Sequence, residues 1–341
     1  MREGESRMKK SHFGISALLL AAALLLTSCS SGAKAEAPKD LPFVYTAGEG
    51  ISGEITIVAA ELAQPVVQAV SGKYTGVQSS VKVNIRTEGH DQAVDSFVKG
   101  TADAMIASAD TSKAQDEAIV GTFGEGKVVQ LRLATDGIAI VTAKDSALSE
   151  ITKEELVRIY TAGAIKEDDS ILWNDVREGL PKEPVTVLGP EETNDLCVYF
   201  KKLILQDKDL NKSFCGYPSM DELIAAVSGD KNAIAFVSLS AALRNSDKVK
   251  ALPVDFGGGA VEPTIQNSVG SGAIMGAYSE FTYPVYLYVG REAAASKPQL
   301  ADYLWYLFSD QGVFSLCEEY CLVPMKEQDY VNQISTLFNG R

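Results

Sequence analysis

The chain has 341 residues, of which 46% are hydrophobic and 22% are charged. That length suggests about two domains, and the hydrophobic content supports packed cores, which excludes a wholly disordered protein. The net charge of −14 argues against a nucleic-acid-binding protein, because phosphate backbones attract surfaces rich in Lys and Arg.

The N-terminus has the pattern of a signal peptide, predicted over residues 1–28. Lys9 and Lys10 precede a run of 14 mostly apolar residues, 13–26. A helix of that length spans about 21 Å, short of the ~30 Å hydrocarbon core of a bilayer, so a transmembrane helix is not expected. The chain has no second stretch of this kind, which argues against a multi-span transporter. The sequence leaves open whether translation starts at Met1 or Met8.

Small residues precede Cys29 at the end of this run, which resembles a bacterial lipobox. The resemblance implies cleavage before Cys29 and a lipid on its sulfur; the alternative is an ordinary secretory signal with an incidental cysteine. Residues 29–52 would then be the lipidated cysteine and a flexible tether, since this stretch begins rich in Ser, Ala, Lys and Pro. We expect an extracytoplasmic protein held on the cell membrane by its lipid.

Four further cysteines can oxidise outside the cytoplasm, and they allow three pairings. We favour Cys197–Cys215 and Cys317–Cys321, because the members of each pair are close in sequence. The second pair requires a helix to end between its members, since i,i+4 side chains within one helix diverge too far. His90 is the only histidine after residue 28 and there is no Cys-x-x-Cys, so we expect neither a metal site nor a cofactor.

The rest of the chain alternates strand-like and helix-like segments, which is typical of an α/β protein with parallel sheets flanked by helices. Strands are predicted over 54–59, 81–86, 104–107, 128–134, 137–142, 185–188, 233–237 and 284–289. Helices are predicted over 62–74, 91–99, 151–160, 192–205, 221–227 and 298–320. Asp136-Gly137 separates two of the strands, Thr152 and Glu155 form a predicted capping box, and the last helix is interrupted near Gly312. Stretch 254–276 has no helical period.

Ligands of such sheets bind beyond the carboxyl ends of the strands, where loops enter helices. The loops predicted to form the site are therefore 60–62, 89–92, 108–111 and 190–195.

Several short pieces of sequence carry a family resemblance by their order and spacing. They are Phe97-x-x-Gly100-x-Ala102-Asp103, Ala107-Ser108-Ala109-Asp110, Ile151-Thr-x-Glu-Glu-Leu-x-x-Ile-Tyr160, Trp173-Asn174-Asp175, Leu180-Pro181, Val185-x-Val-x-Gly189-Pro190, Ala233-Ile-Ala-Phe236 and Pro284-Val-Tyr-Leu-Tyr-Val289. Over about residues 53–324 the chain resembles the Pst-type phosphate-binding lipoproteins of bacterial ABC importers.

The resemblance implies a two-lobed periplasmic-binding-protein fold of type II-like architecture. Each lobe would be a mostly parallel sheet flanked by helices, with two crossover hinge segments between the lobes. Lobe 1 would comprise 53–135 plus 280–341, and lobe 2 would comprise 136–279. The protein would be a monomer without enzymatic activity, binding phosphate or a related oxyanion in the cleft for delivery to a membrane permease and ATPase.

The ligand turns depart from the family pattern. A Gly-Ser-Ser-Thr-like turn is replaced by Ala59-Ala60-Glu61-Leu62, Gly-Ser-Gly by Gly89-His90-Asp91, and Ser-Gly-Thr by Asn194-Asp195-Leu196; Asp110 alone matches a polar binding residue of some relatives. The candidate ligand-binding residues are Ala60, Glu61, Leu62, Gly89, His90, Asp91, Asp110, Asn194 and Asp195. Helix capping is the alternative role for Asp110, Asn194 and Asp195.

Three hydroxyl donors are absent from these turns and three carboxylates are added. Hydrogen bonds to charged groups contribute ~1.5–3 kcal/mol each, so this loss predicts phosphate binding weaker by roughly three to six decades. The alternatives are a divergent member that binds a neutral or amine-bearing solute, and a surface sensor or adhesion protein that keeps the fold. A hydrolase would depend on His90 and lacks the usual nucleophile motifs.

Overall fold

The computed structural model describes residues 43–265 and 277–339. The predicted signal peptide, Cys29 and the tether as far as residue 42 lie outside this range, as does the end of the stretch predicted to lack a helical period. No helix in these two ranges combines the length and hydropathy needed to span a bilayer.

The described residues form strands and helices in alternation. The strands are β1 (Gly53–Ala59), β2 (Val81–Thr87), β3 (Ala104–Ala107), β4 (Val128–Ala143), β5 (Ile151–Thr152), β6 (Thr186–Pro190), β7 (Cys215–Tyr217), β8 (Ala233–Ser238), β9 (Val249–Ala251), β10 (Val254–Asp255), β11 (Ala260–Val261) and β12 (Thr282–Gly290). The helices are α1 (Gln64–Val77), α2 (His90–Val98), α3 (Lys113–Phe123), α4 (Lys153–Tyr160), α5 (Trp173–Val176), α6 (Asp195–Phe200), α7 (Met220–Gly229), α8 (Leu239–Arg244), α9 (Arg291–Ser296), α10 (Pro298–Leu307), α11 (Val313–Leu316) and α12 (Glu327–Asn339).

A continuous sheet runs through both lobes in the order β2-β1-β3-β12-β4-β8-β6-β7, with β9 also paired to β4. β1, β2 and β3 pair in parallel at one end, and β6, β7 and β8 pair in parallel at the other. The two central strands, β4 and β12, run antiparallel to each other. This arrangement confirms the two-lobed α/β fold.

β4 passes from one lobe to the other, which makes the prediction of two separate strands wrong. Its residues up to Gly137 pair with β12, and those from Ile138 pair with β8. Asp-Gly is a common turn sequence, but here Gly137 has no positive φ and neighbouring strands hold both sides of the dipeptide. Thr282 of β12 pairs directly with Gly137, so the two crossing segments lie side by side.

Each lobe packs apolar side chains on both faces of its part of the sheet. On β1, Ile57 faces the larger core of lobe 1 and Val58 the smaller one. On β4, Ile140 and Val141 face the two cores of lobe 2 in the same alternating way. Trp173 is 3% exposed and packs in a lobe 2 core.

Several helix ends follow local sequence signals. Thr152 and Glu155 form the predicted capping box, with each side chain accepting a hydrogen bond from the other's backbone N–H. The predicted helix 192–205 is shorter: α6 begins at Asp195 and continues as a π-helical segment, Lys201–Leu205. The last predicted helix is interrupted as expected: α10 ends at Leu307 and α11 begins after Gly312. Only glycine fits at position 312, because a Cβ there would lie 2.2 Å from the Tyr306 carbonyl oxygen.

Neither predicted disulfide is formed in this structure, where all four cysteines are free thiols. Cys197 is buried in the core beneath α6, whereas Cys215 is exposed on the edge strand β7. Cys317 is likewise buried, and Cys321 lies after the end of α11 in a left-handed conformation with φ 54°. Neither pairing is present as a disulfide bond in this structure, and both remain predictions for an oxidising compartment.

Candidate functional site

A cleft of about 740 Å³ lies between the two lobes at the carboxyl ends of their parallel strands. Its walls come from the loops that precede α2, α3 and α6, together with α6 itself and the end of β7. The lining residues are Glu61, Gly89, His90, Asp91, Gln92, Ala109, Asp110, Thr111, Ser112, Gln115, Glu191, Thr193, Asn194, Asp195, Val198, Tyr199, Lys202, Tyr217 and Pro218.

The cleft brings together seven of the nine predicted ligand-binding residues. Ala60 is not among them: it is completely buried, and its N–H donates to the Ile106 carbonyl oxygen at 2.8 Å. Leu62 instead lines a neighbouring cavity of about 380 Å³, which also includes Arg244. Ala60 and Leu62 therefore do not belong to the main cleft, because the chain turns into α1 immediately after β1.

The N-terminus of α2 faces the opposite lobe. Its N-cap residue, Gly89, has no side chain to accept a hydrogen bond from the first turn. Asp195 of lobe 2 takes this place: the His90 backbone N–H donates to its Oδ1 at 3.3 Å. Asp195 is 8% exposed, and its Oδ2 is buried without a hydrogen-bond partner, as are both ring nitrogens of His90.

A second contact between the lobes lies beside the first. The Asn194 side chain accepts from the Leu196 backbone N–H at 2.9 Å, which caps α6. The same side chain donates from Nδ2 to Oε2 of Glu61 in lobe 1 at 2.6 Å. Asn194 thus acts both as a helix cap and as a bridge across the cleft.

Asp110 does not cap the helix that follows it. Ser112 is the N-cap of α3 and forms a capping box with Gln115. The exposed carboxylate of Asp110 instead accepts from Nε2 of Gln130 at 3.3 Å. Because its role as a cap is taken by Ser112, Asp110 remains available to a molecule in the cleft.

Tyr199 and Lys202 also line the cleft, although neither is among the predicted ligand-binding residues. Burial, together with the nearby Asp110 carboxylate, raises the pKa of Tyr199 well above its usual value, so its hydroxyl stays protonated. Asp195, Tyr199 and Lys202 follow each other at i, i+4 and i+7, a spacing that places side chains on one helical face. That spacing is visible in the sequence, but the predicted site loop 190–195 ends before Tyr199 and Lys202.

The cleft is acidic, with five carboxylates, Glu61, Asp91, Asp110, Glu191 and Asp195, among its lining residues. Of these described lining residues, Lys202 alone carries a permanent positive charge. Desolvation raises the pKa of the Asp195 carboxyl. The neighbouring His90 lowers this pKa, and the negative charge of Asp91 raises it further. Desolvation also raises the pKa of Glu61, to which Asp195 and Glu191 add their repulsion.

These two carboxyls should make the protein more stable as the pH is lowered from 7.5 to 5. A carboxyl whose pKa is higher in the folded than in the unfolded chain binds more protons when folded. Its stabilising contribution is complete below the unfolded pKa and is lost as the pH rises through the folded pKa. In Asp195→Asn the gain in unfolding free energy on acidification should be smaller than in the wild type, measured by urea denaturation at each pH.

Asp247→Asn provides the control, because Asp247 is exposed and lies outside the cleft. It should show the wild-type dependence on pH. An equal gain on acidification in the wild type and Asp195→Asn would contradict the assignment of the effect to Asp195.

Two curated proteins are similar to this chain over most of its length. Protein SphX of Synechococcus elongatus is 26% identical over 287 residues, which cover 81% of each chain. The phosphate-binding protein PstS of Staphylococcus epidermidis is 21% identical over 300 residues, 85% of this chain and 84% of the relative.

Solved structures share the fold as well. A Clostridium perfringens protein solved with bound phosphate has a TM-score of 0.64 at 20% identity, covering 80% of this chain and 100% of that one. An ABC-type phosphate transport receptor from Vibrio cholerae has a TM-score of 0.62 at 19% identity, with the same coverage. The PBP superfamily domain matches residues 45–311, which is most of the sequence, and the chain therefore belongs to that family.

Proposed function

We propose that this protein is the extracytoplasmic solute-binding component of an ABC importer and that it binds phosphate in the cleft between its lobes. The observation that carries the proposal is the convergence of the starts of α2, α3 and α6 on one cleft that also contains Lys202. Backbone N–H groups and the helix dipole favour an anion at such positions. The name of the Staphylococcus epidermidis relative and the bound phosphate in one structural neighbour point to the same ligand.

Hydroxyl groups that are not among the predicted ligand-binding residues also line the cleft. Thr193, Tyr199 and Tyr217 line it, although the three turns themselves have lost their hydroxyls. Asp110 would accept a hydrogen bond from a protonated phosphate oxygen, and Lys202 would neutralise charge. We therefore expect phosphate binding that is weakened by the other carboxylates but not abolished.

The remaining parts of the proposal rest on the N-terminal sequence and the family. The protein is anchored by a lipid on Cys29, acts as a monomer and delivers its ligand to a membrane permease coupled to an ATPase. It has no enzymatic activity of its own. The proposed site comprises the seven predicted residues in the cleft together with Tyr199 and Lys202; its carboxylates other than Asp110 would oppose an anionic ligand.

The acidity of the cleft favours a second candidate ligand. Five carboxylates beside one lysine would bind an amine-bearing solute more readily than an anion if they are all ionised. Titration of the protein with both inorganic phosphate and small amines separates the two ligands.

Isothermal titration with phosphate should show weaker binding in Lys202→Met. Removing the positive charge takes one charged partner from the ligand, so we expect the dissociation constant to rise about tenfold. Lys201→Met is the matched control, because Lys201 is the preceding residue and pairs with Glu192 outside the cleft lining. Binding of an amine but not of phosphate by the wild type would refute phosphate as the ligand.

A further inference from the structure

We propose that Asp195 is an intramolecular competitor of the ligand, because its carboxylate holds the N-terminus of α2 where an anionic ligand would bind. The inference rests on the proposed function, because it concerns the same cleft and an anionic ligand. Asp195 would then set how tightly this cleft binds an oxyanion.

The position of the carboxylate is that of a bound anion. Asp195 lies in lobe 2, yet its Oδ1 accepts the His90 backbone N–H in the first turn of α2, in lobe 1. Gly89 leaves this turn without a cap from its own lobe. An oxyanion would use the same N–H groups, so the carboxylate and the ligand cannot both hold them.

The hydrogen bonding of the Asp195 carboxylate is incomplete, so a ligand can displace it from α2. Only one oxygen of Asp195 has a hydrogen-bond partner, while Oδ2 is buried and has none. The neighbouring His90 ring nitrogens are buried and unpartnered too. An oxyanion with several oxygens could satisfy more of these groups than the single carboxylate does, at the cost of separating Asp195 from α2.

The adjacent residue ties the same helix start to lobe 1. Asn194 donates to Glu61 at 2.6 Å, so two consecutive residues at the start of α6 contact lobe 1. Asp195 thus helps to hold the two lobes together. Removing its carboxylate should both free the N-terminus of α2 and loosen the contact between the lobes.

Phosphate titration of Asp195→Ser tests the competition. Removing the internal anion should tighten phosphate binding by about 10- to 100-fold relative to the wild type. Glu191→Ser is the comparator, because it removes the same charge from the lining of the same cleft, and Glu191 is not among the residues proposed to bind the ligand. Its gain should stay below about threefold. Equal gains in the two variants would overturn the proposal.

Amide hydrogen exchange of the ligand-free protein gives a second readout that does not depend on phosphate. The His90 amide should exchange several-fold faster in Asp195→Ser, and in Asp195→Ala if the serine variant does not fold; an unchanged rate would overturn the occupation of α2 by Asp195. If no variant binds phosphate but this amide exchanges faster, the proposed ligand is wrong, while the occupation of the helix start by Asp195 is supported.

Discussion

Asp136→Ala is expected to lower the free energy of unfolding by about 3 kcal/mol, because the side chain holds buried groups at the point where β4 crosses between the lobes. Asp136 is 2% exposed. Its Oδ1 accepts the backbone N–H groups of Gly137 and Ser240 at 2.7 and 3.0 Å, and Oδ2 accepts the Ser240 hydroxyl at 2.7 Å. Alanine leaves these donors buried without an acceptor, at ~1–3 kcal/mol each.

Part of that loss is offset, since burial raises the pKa of Asp136 and its charged form is therefore costly to keep in the core. Asp136→Asn retains one acceptor oxygen and should cost about 1 kcal/mol. Urea denaturation measures both values. A loss below 1 kcal/mol in Asp136→Ala would show that the crossing does not depend on this carboxylate.

Gly189→Ala should be comparably destabilising, by about 3 kcal/mol. A Cβ at Gly189 would lie 2.6 Å from Cε1 of Phe236 and 2.7 Å from Cε2 of Phe214. Phe236 cannot retreat easily, because it stacks on Phe200 with ring centroids 3.9 Å apart. The added methyl group must therefore displace β6 or the aromatic rings beneath α6.

Gly121→Ala is the matched control for this substitution. Gly121 lies inside α3, and a Cβ there would meet no atom within 4 Å. Because alanine is the better helix former, this variant should gain about 0.5–1 kcal/mol. A similar small change at Gly189, measured by the same denaturation, would contradict the packing described around Phe236.

The fold could be predicted where local patterns agree with tertiary packing. The capping box of Thr152 and Glu155 and the interruption at Gly312 depend on neighbours within a few residues, and both are present. Asp136-Gly137 misled the prediction because its turn propensity is overridden by strands that pair on both sides of it. No local pattern reveals that pairing, since β12 and β8 lie about 100 or more residues further along the chain.

The sequence predicts which loops form the site, but not how the side chains on those loops contact each other. Glu61, His90 and Asn194 could be assigned to strand ends from the order of elements alone. The bond from His90 to Asp195 could not, because it depends on how the two lobes face each other. Tyr199 and Lys202 were within reach of the sequence, as they share a helical face with Asp195.

A crystal structure of the protein soaked with arsenate, a phosphate analogue with an anomalous signal, would show where an oxyanion binds and whether Asp195 moves. We expect one anomalous peak in the cleft, between the N-termini of α2 and α6, with the Asp195 carboxylate moved away from the His90 N–H. A peak in the neighbouring cavity beside Arg244, or a fully occupied peak in the cleft with the Asp195 contact intact, would contradict this expectation.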